Sequence, residues 1–177
     1  MSCSSLLVSL GALLGLVASL YACYVEAEMG AAAALGAEFT AGCDGLDLRF
    51  LGLGITTSSC SRVLSSPYAH SLSMALPDLA PRGGALDISN AALGAAFYAA
   101  ALLAAPLGDA LGLRAAARAT LLVAALGSLV FSAYLAYILK YVLREFCVVC
   151  STMYLANILV FWGALLNFVG GKRRKTD

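Results

Sequence analysis

The chain has 177 residues, 62% of them hydrophobic and 12% charged, with a mean hydropathy of +0.90. An average soluble domain carries about 25% charge, so a soluble globule is excluded and a bilayer is the solvent that suits these side chains. A formal net charge of +1 provides no basic field for nucleic acid and no acidic tail; membrane lipid is the expected partner, nucleic acid is not, and the length fits one membrane domain over 1–177.

A transmembrane helix needs about 20 mainly apolar residues. Four runs of that size hold no Asp, Glu, Lys or Arg: Ser5 to Val25, Ser89 to Leu107, Ala119 to Leu139 and Val148 to Val169. No Lys or Arg precedes the first run, and it exceeds a secretory h-region, so it reads as a permanent helix. The expected fold is an all-α integral membrane protein, a four-transmembrane-helix bundle with one long loop. An even number of spans puts both termini on one side. Lys172, Arg173, Arg174 and Lys175 of the tail, with Arg114 and Arg118 between the second and third runs, outnumber Lys140 and Arg144 before the fourth. The positive-inside rule then makes the termini cytoplasmic and the loop 26–88 non-cytoplasmic, where thiols can be oxidised.

That loop is too long for a mere connection and is expected to act as a lid. Val63, Leu64, Tyr68, Leu72 and Leu76 fall near helical spacing, which predicts a short amphipathic helix over 61–76, with Ser66-Pro67 a possible N-cap and first position. Arg49 to Ile55 is apolar and glycine-rich, suited either to touching lipid or covering a pocket, or to a flexible insertion. Asp87 or Ser89 is placed to cap the second span.

Six cysteines occur. Cys3, near the terminus, and Cys23, inside the first run, read as an exposed thiol and an apolar filler. Cys147-Val148-Val149-Cys150 is a C-x-x-C opening a helix, where unpaired backbone N–H groups and the helix dipole stabilise a thiolate. The spacing lets the second sulfur expel whatever the first has captured. A structural disulfide or half a metal site is the bland alternative. Structural zinc usually takes four Cys or His ligands, however, and the only histidine, His70, reads as an ordinary loop residue, so no metal is expected. Cys147, Cys150, Tyr154, Asn157 and Phe161 recur at steps of three or four and share a helix face. Asn157 and Tyr154 either bond neighbouring helices or polarise the carbonyl oxygens of a small apolar ligand. Cys43 and Cys60, both in the loop, form either a shuttle pair for a soluble dithiol or a structural staple.

These residues resemble the vitamin K epoxide reductase family: Cys43-Asp44, Ser59-Cys60-Ser61-Arg62-Val63 with Ser65-Ser66, Ser89-Asn90 with Phe97-Tyr98, Tyr134 to Leu139, and Glu145 to Cys150 with Tyr154. The likeness covers nearly the whole chain. It implies a bundle around a quinone pocket, with Cys150 attacking the quinone or epoxide and Cys147 exchanging with the loop pair. Cys60 would meet Cys147, and Cys43 would face a thioredoxin-like lumenal electron donor. Asn90 and Tyr154 would hydrogen-bond substrate oxygens between walls formed by Val63, Phe97, Leu135 and Leu139. Vitamin K quinone or its epoxide is implied as substrate, with no tightly bound cofactor, in a multi-pass protein of the endoplasmic reticulum membrane.

The chain departs from the family in its loop, where sixteen residues separate Cys43 from Cys60. Doubling a loop adds only about 0.6 kcal/mol of closure entropy, so the pair can still join. Pro67-Tyr68 replaces the family's Trp-Gly, and Leu64 stands for an aromatic. Arg174-Lys175-Thr176-Asp177 reads as a dibasic retrieval signal or a plain charge cluster. Two rivals are a DsbB-like enzyme making disulfides with a quinone as electron sink, and a non-enzymatic four-span scaffold. The position of the C-x-x-C argues against the scaffold. Ion-coupled transport is disfavoured because the four runs hold no ionisable acid or base.

Overall fold

In hydrocarbon a lone segment satisfies its backbone only as a helix, and each apolar run lies in one that outlasts the run itself. The computed structural model describes residues 3–47, 57–75, 77–84 and 86–173. The Phe50 to Ile55 stretch, Leu76 and the Arg174 to Asp177 tail lie outside these residues. The long helices are α1 (Cys3–Ala34), α4 (Asn90–Ala110), α5 (Arg114–Tyr137), continued by a π-helical segment (Ile138–Leu143), and α6 (Val148–Arg173). Among the described residues, four helices are therefore long and apolar enough to cross a membrane. Between α1 and α4 lie two short helices, α2 (Cys60–Leu64) and α3 (Ser71–Ala75), joined through a 3-10 turn at Pro67–His70.

α1 does not stop at the first charge. It runs on for nine residues past Val25, so Glu26 and Glu28 are helical and the connection to α4 is shorter than the expected loop. At 1.5 Å per residue its 32 residues reach about 48 Å, beyond the roughly 30 Å hydrocarbon core. The helix is therefore longer than a span needs, and its last turns wall the loop end, where Val25 and Met29 join the core. Arg114 and Arg118 are likewise helical, on α5.

The predicted amphipathic helix over 61–76 is broken at Ser65–Ser66. Pro67 does open the next turn, but Ser66 Oγ donates to the Val63 carbonyl at 2.7 Å instead of capping. A proline ring and a serine that bonds backward favour a turn over a continuous helix. Ser89 is the cap of α4, its hydroxyl accepting from Ala92 N–H at 3.2 Å.

α1 packs most extensively on antiparallel α6, then on α4, while α5 rests mainly on α6. Small residues allow the approach: a Cβ on Gly11 would lie 2.8 Å from Leu159 Cβ, and one on Gly15 would fall inside the Tyr98 ring, 2.2 Å from Cζ. Tyr98 is buried and its hydroxyl donates to the Met153 carbonyl at 3.0 Å; Ser19 Oγ donates to Met153 Sδ at 3.1 Å. Leu10, Val17, Leu20, Val123, Val130 and Trp162 point outward, as lipid-facing side chains should.

After the π segment, Arg144 adopts the left-handed conformation (φ 54°, ψ 33°) and Glu145 N–H closes onto the Leu139 carbonyl at 3.2 Å. This sharp reversal delivers Cys147 to the start of α6.

Candidate active site

Cys43 and Cys60 are joined as a disulfide, with Cα atoms 6.0 Å apart, while Cys147 and Cys150 are buried free thiols. Cys60, Cys147 and Cys150 belong to one core cluster with Val25, Val63, Leu64 and Leu139, against which Cys43 and Tyr154 pack. Asp44 lies beside the disulfide, but sulfurs bonded to each other are not the thiolate donors a metal takes. Cys3 is exposed and distant from this cluster; Cys23 packs on its edge.

Ser58 clips the two pairs together. Its hydroxyl sits 3.5 Å from Cys60 Sγ and accepts from Val148 N–H at 3.3 Å, while Ser59 N–H donates to the Phe146 carbonyl at 2.8 Å. Arg62 adds an ion pair to Glu145. A hydrogen bond from the Ser59 hydroxyl, then the Arg62 guanidinium, holds the Glu145 carboxyl below the usual carboxylate range despite some burial. Asp44 ties the first turn of α2 to the segment after α1. Its carboxylate accepts from Ala41 N–H at 3.1 Å and Ser61 N–H at 3.0 Å. Burial pushes that carboxyl up, but the bonds from Ser61 and Ala41 outweigh it and hold it down.

Cys147 occupies the N-cap position of α6, and its sulfur accepts from Cys150 N–H at 3.2 Å. The Cys150 thiol, then the backbone N–H groups of Cys150 and Val149, draw the Cys147 thiol below its ordinary range against the opposing effect of burial. Each donor favours the thiolate. Of the pair, Cys147 is thus the sulfur that the helix start disposes to ionise.

Beside Cys150 lies an apolar cavity of about 60 Å³, walled by Val63, Leu64, Leu135, Leu139, Asn90 and Tyr154 among others. That is room for a few water-sized centres only. A second cavity of about 290 Å³ between α4, α5 and α6 shares Asn90, Leu135, Met153 and Tyr154 with the first and adds Phe97, Phe131 and Asn157. Together they offer a narrow head chamber at the sulfur and a roomier apolar one behind it.

The four cysteines expected to react gather in one cluster, and the six residues expected at the substrate fall on these two walls: Val63 and Leu139 on the first, Phe97 on the second, and Asn90, Leu135 and Tyr154 on both. Asn90 is committed to the lid: its amide donates to the Tyr68 carbonyl at 2.7 Å and Ser71 Oγ at 3.0 Å, and its Oδ1 accepts from Ser71 N–H at 3.2 Å. Asn157 ties α6 to α5 through a 2.7 Å bond to Ser132 Oγ. Phe161, expected on the dithiol face, packs in the other core cluster with Phe97. His70 pairs with Asp87 at 2.9 Å.

Sequence reasoning missed Ser58, Met153 and above all Glu26, which borders the head chamber. A signal for Glu26 existed. Ala18, Ala22, Val25 and Met29 continue the packed face of α1 past the first charge.

The vitamin K epoxide reductase family profile matches residues 6–165. The chain is 36% identical over 164 residues to vitamin K epoxide reductase complex subunit 1 of Mus musculus, covering 93% of this chain and 88% of the relative. Against the Rattus norvegicus protein of the same name it is 37% identical over 145 residues, 82% of this chain and 78% of the relative. A profile match over most of the chain, on a four-helix membrane bundle whose four loop-end cysteines form one cluster with Cys150 bordering an apolar chamber, means that this chain belongs to the vitamin K epoxide reductase family.

Proposed function

We propose that this chain is a thiol-dependent reductase of vitamin K epoxide and vitamin K quinone, working as one membrane domain of the endoplasmic reticulum with its loop end lumenal and both termini cytoplasmic. The observation that carries the reading is the position of Cys150, whose thiol borders an apolar chamber while its partner Cys147 is clipped through Ser58 to the Cys43–Cys60 disulfide. A scaffold has no use for a C-x-x-C at a helix start with its second sulfur against such a chamber.

In this reading a thioredoxin-like lumenal dithiol reduces Cys43–Cys60 by attack on Cys43. The Cys60 thiolate released then attacks Cys147 of an oxidised Cys147–Cys150 pair, and exchange leaves the state seen here, with the loop pair oxidised and the C-x-x-C reduced. Cys150 next adds to the quinone or epoxide. Cys147 attacks the Cys150 sulfur, the S–S bond forms, and the electron pair of the broken C–S bond reduces the substrate. Tyr154 is placed to hydrogen-bond a substrate oxygen; Val63, Leu135 and Leu139 hold the ring and Phe97 the tail behind it. Asn90 meets the substrate only by exchanging a lid contact for it.

Dithiol-driven turnover by the purified protein in detergent tests this. Cys150→Ser should abolish reduction with any dithiol. Cys43→Ser should lose turnover with a protein dithiol and keep it with a small, membrane-permeant one. Equal activity of Cys150→Ser and wild type would sink the reading.

A further inference from the structure

Both proposed substrates need two protons with their two electrons: a quinone becomes a quinol, and an epoxide becomes quinone plus water. Of the two sulfurs only that of Cys150 borders the chamber. The Cys147 sulfur accepts from Cys150 N–H at 3.2 Å, a bond that favours its thiolate, and a pair that reacts in that form carries a single S–H proton, on Cys150. Another group at the chamber must supply the second.

Among the described residues bordering the head chamber, Glu26 is the one carboxyl. Its Oε1 is buried and has no hydrogen-bond partner among the described residues, a costly state for an ionised carboxylate and a tolerable one for an acid awaiting an acceptor. Around it stand the Ser89 hydroxyl and the His70 ring, Cys23 on its own helix, and Cys150 across the chamber. Asn90 has both amide hydrogens committed to Tyr68 and Ser71 and has none to give. Glu28, two residues on, does not border the chamber. An acid on a membrane helix that touches the reaction space is a group the fold retains at a cost.

We propose that Glu26 is a further catalytic residue, the carboxylic acid that delivers the second proton to the substrate oxygen; this rests on the reductase reading above. As the Cys150 sulfur bonds to the substrate carbon, the Cys150 proton passes to the Cys147 thiolate and the Glu26 proton passes to the substrate oxygen. Cys147 then attacks Cys150: the S–S bond forms, the C–S bond breaks, its electron pair stays on the substrate, and the Cys147 proton completes the quinol or water. The dithiol pair is oxidised, the substrate has gained two electrons and two protons, and Glu26 is left as carboxylate. The next reducing dithiol loses two protons; one restores Cys150 and the other restores Glu26.

The test uses the full chain in detergent with a permeant dithiol and vitamin K epoxide or quinone, comparing wild type with Glu26→Gln, Glu26→Asp, Glu26→Ala and the neighbouring control Glu28→Gln. A lost general acid costs about 10²- to 10⁴-fold, so kcat of Glu26→Gln should fall at least a hundredfold with KM little changed, while Glu26→Asp retains part and Glu28→Gln all. Reduction of the Cys147–Cys150 pair by the dithiol, read by thiol alkylation before substrate is added, should proceed as in wild type. Added formate should restore turnover to Glu26→Ala in a concentration-dependent way, which a merely structural glutamate would not allow. Wild-type rates in Glu26→Gln, or a loss in all three variants without rescue, would overturn the assignment while leaving the reductase reading standing. A wild type inert toward every quinone and epoxide would overturn both.

Discussion

At the scale of single residues, the site depends on a few short polar contacts in an apolar setting. Cys147 is helix cap and candidate redox sulfur at once, because the free N–H of Cys150 that a cap must satisfy points at its sulfur. Ser58 has a comparable double task, with one oxygen touching Cys60 Sγ, Val148 N–H and the Phe146 carbonyl. Ser58→Ala removes these bonds and leaves the part-buried Val148 N–H without its side-chain partner, at a cost of about 1 kcal/mol. The expected outcome is slower exchange between the two cysteine pairs. Turnover with a protein dithiol should drop about tenfold, the kinetic equivalent of about 1.4 kcal/mol, and turnover with a permeant dithiol acting on Cys147–Cys150 directly should change little. Equal slowing with both donors would place the serine's effect elsewhere.

At the scale of elements, the lid is held by side chains from the segment that leads into α4. Asp87 gathers it, accepting from Gly83 N–H at 2.8 Å, from Ser73 Oγ and from His70 Nδ1 at 2.9 Å, while Asn90 holds Tyr68 and Ser71. The Gly83 N–H, then the Ser73 hydroxyl, bring the Asp87 carboxyl down to about 2 from an ordinary 3.8. A depressed carboxyl stabilises only when ionised, so this tether is complete above about pH 4 and is lost as pH falls from there through about 2. Amide hydrogen exchange across 68–73 should therefore show protection that does not change between pH 5 and 8 through Asp87 and declines below 4. Asp87→Asn should raise exchange there at neutral pH and increase KM for the quinone more than it lowers kcat.

At the scale of the whole molecule, the bundle is set by close helix approach and not by apolar character, which lipid tails match. The Tyr98 ring lies against α1 only because residue 15 has no side chain. Gly15→Val must displace that ring and disturb the Tyr98 bond to Met153 next to the chamber, so overpacking should cost about 1–3 kcal/mol and lower the detergent unfolding temperature. Gly127 on α5 has open space where a Cβ would go. Gly127→Ala should be neutral or stabilise by up to about 1 kcal/mol through helix propensity. Thermal unfolding of the two variants in the same detergent checks the contrast; similar shifts would mean that close packing at Gly15 does not hold α1 to α4.

The four apolar runs, the C-x-x-C at a helix start, the loop cysteines and Tyr154 on the dithiol face were readable in the chain, because hydrophobic run length, helix-start chemistry and motif spacing are local properties, whereas Val63, Asn90, Leu135 and Leu139 were legible only through the family resemblance. What remained hidden depends on contacts between distant segments. The end of α1 was drawn at the first glutamate because a charge ends an apolar run. Only the wall formed by α4, α6 and the lid makes it worthwhile to carry Glu26 inside the helix and against the chamber. The break at Ser65–Ser66 follows from backward side-chain bonding that competes with helical periodicity, and the engagement of Asn90 from the Tyr68 carbonyl and the Ser71 N–H and hydroxyl, 22 and 19 residues away. Sequence alone determined that this is a membrane dithiol protein with two cysteine pairs. The tertiary structure decided which groups share the reaction space, because a buried polar atom acquires its role from the partners that folding leaves it.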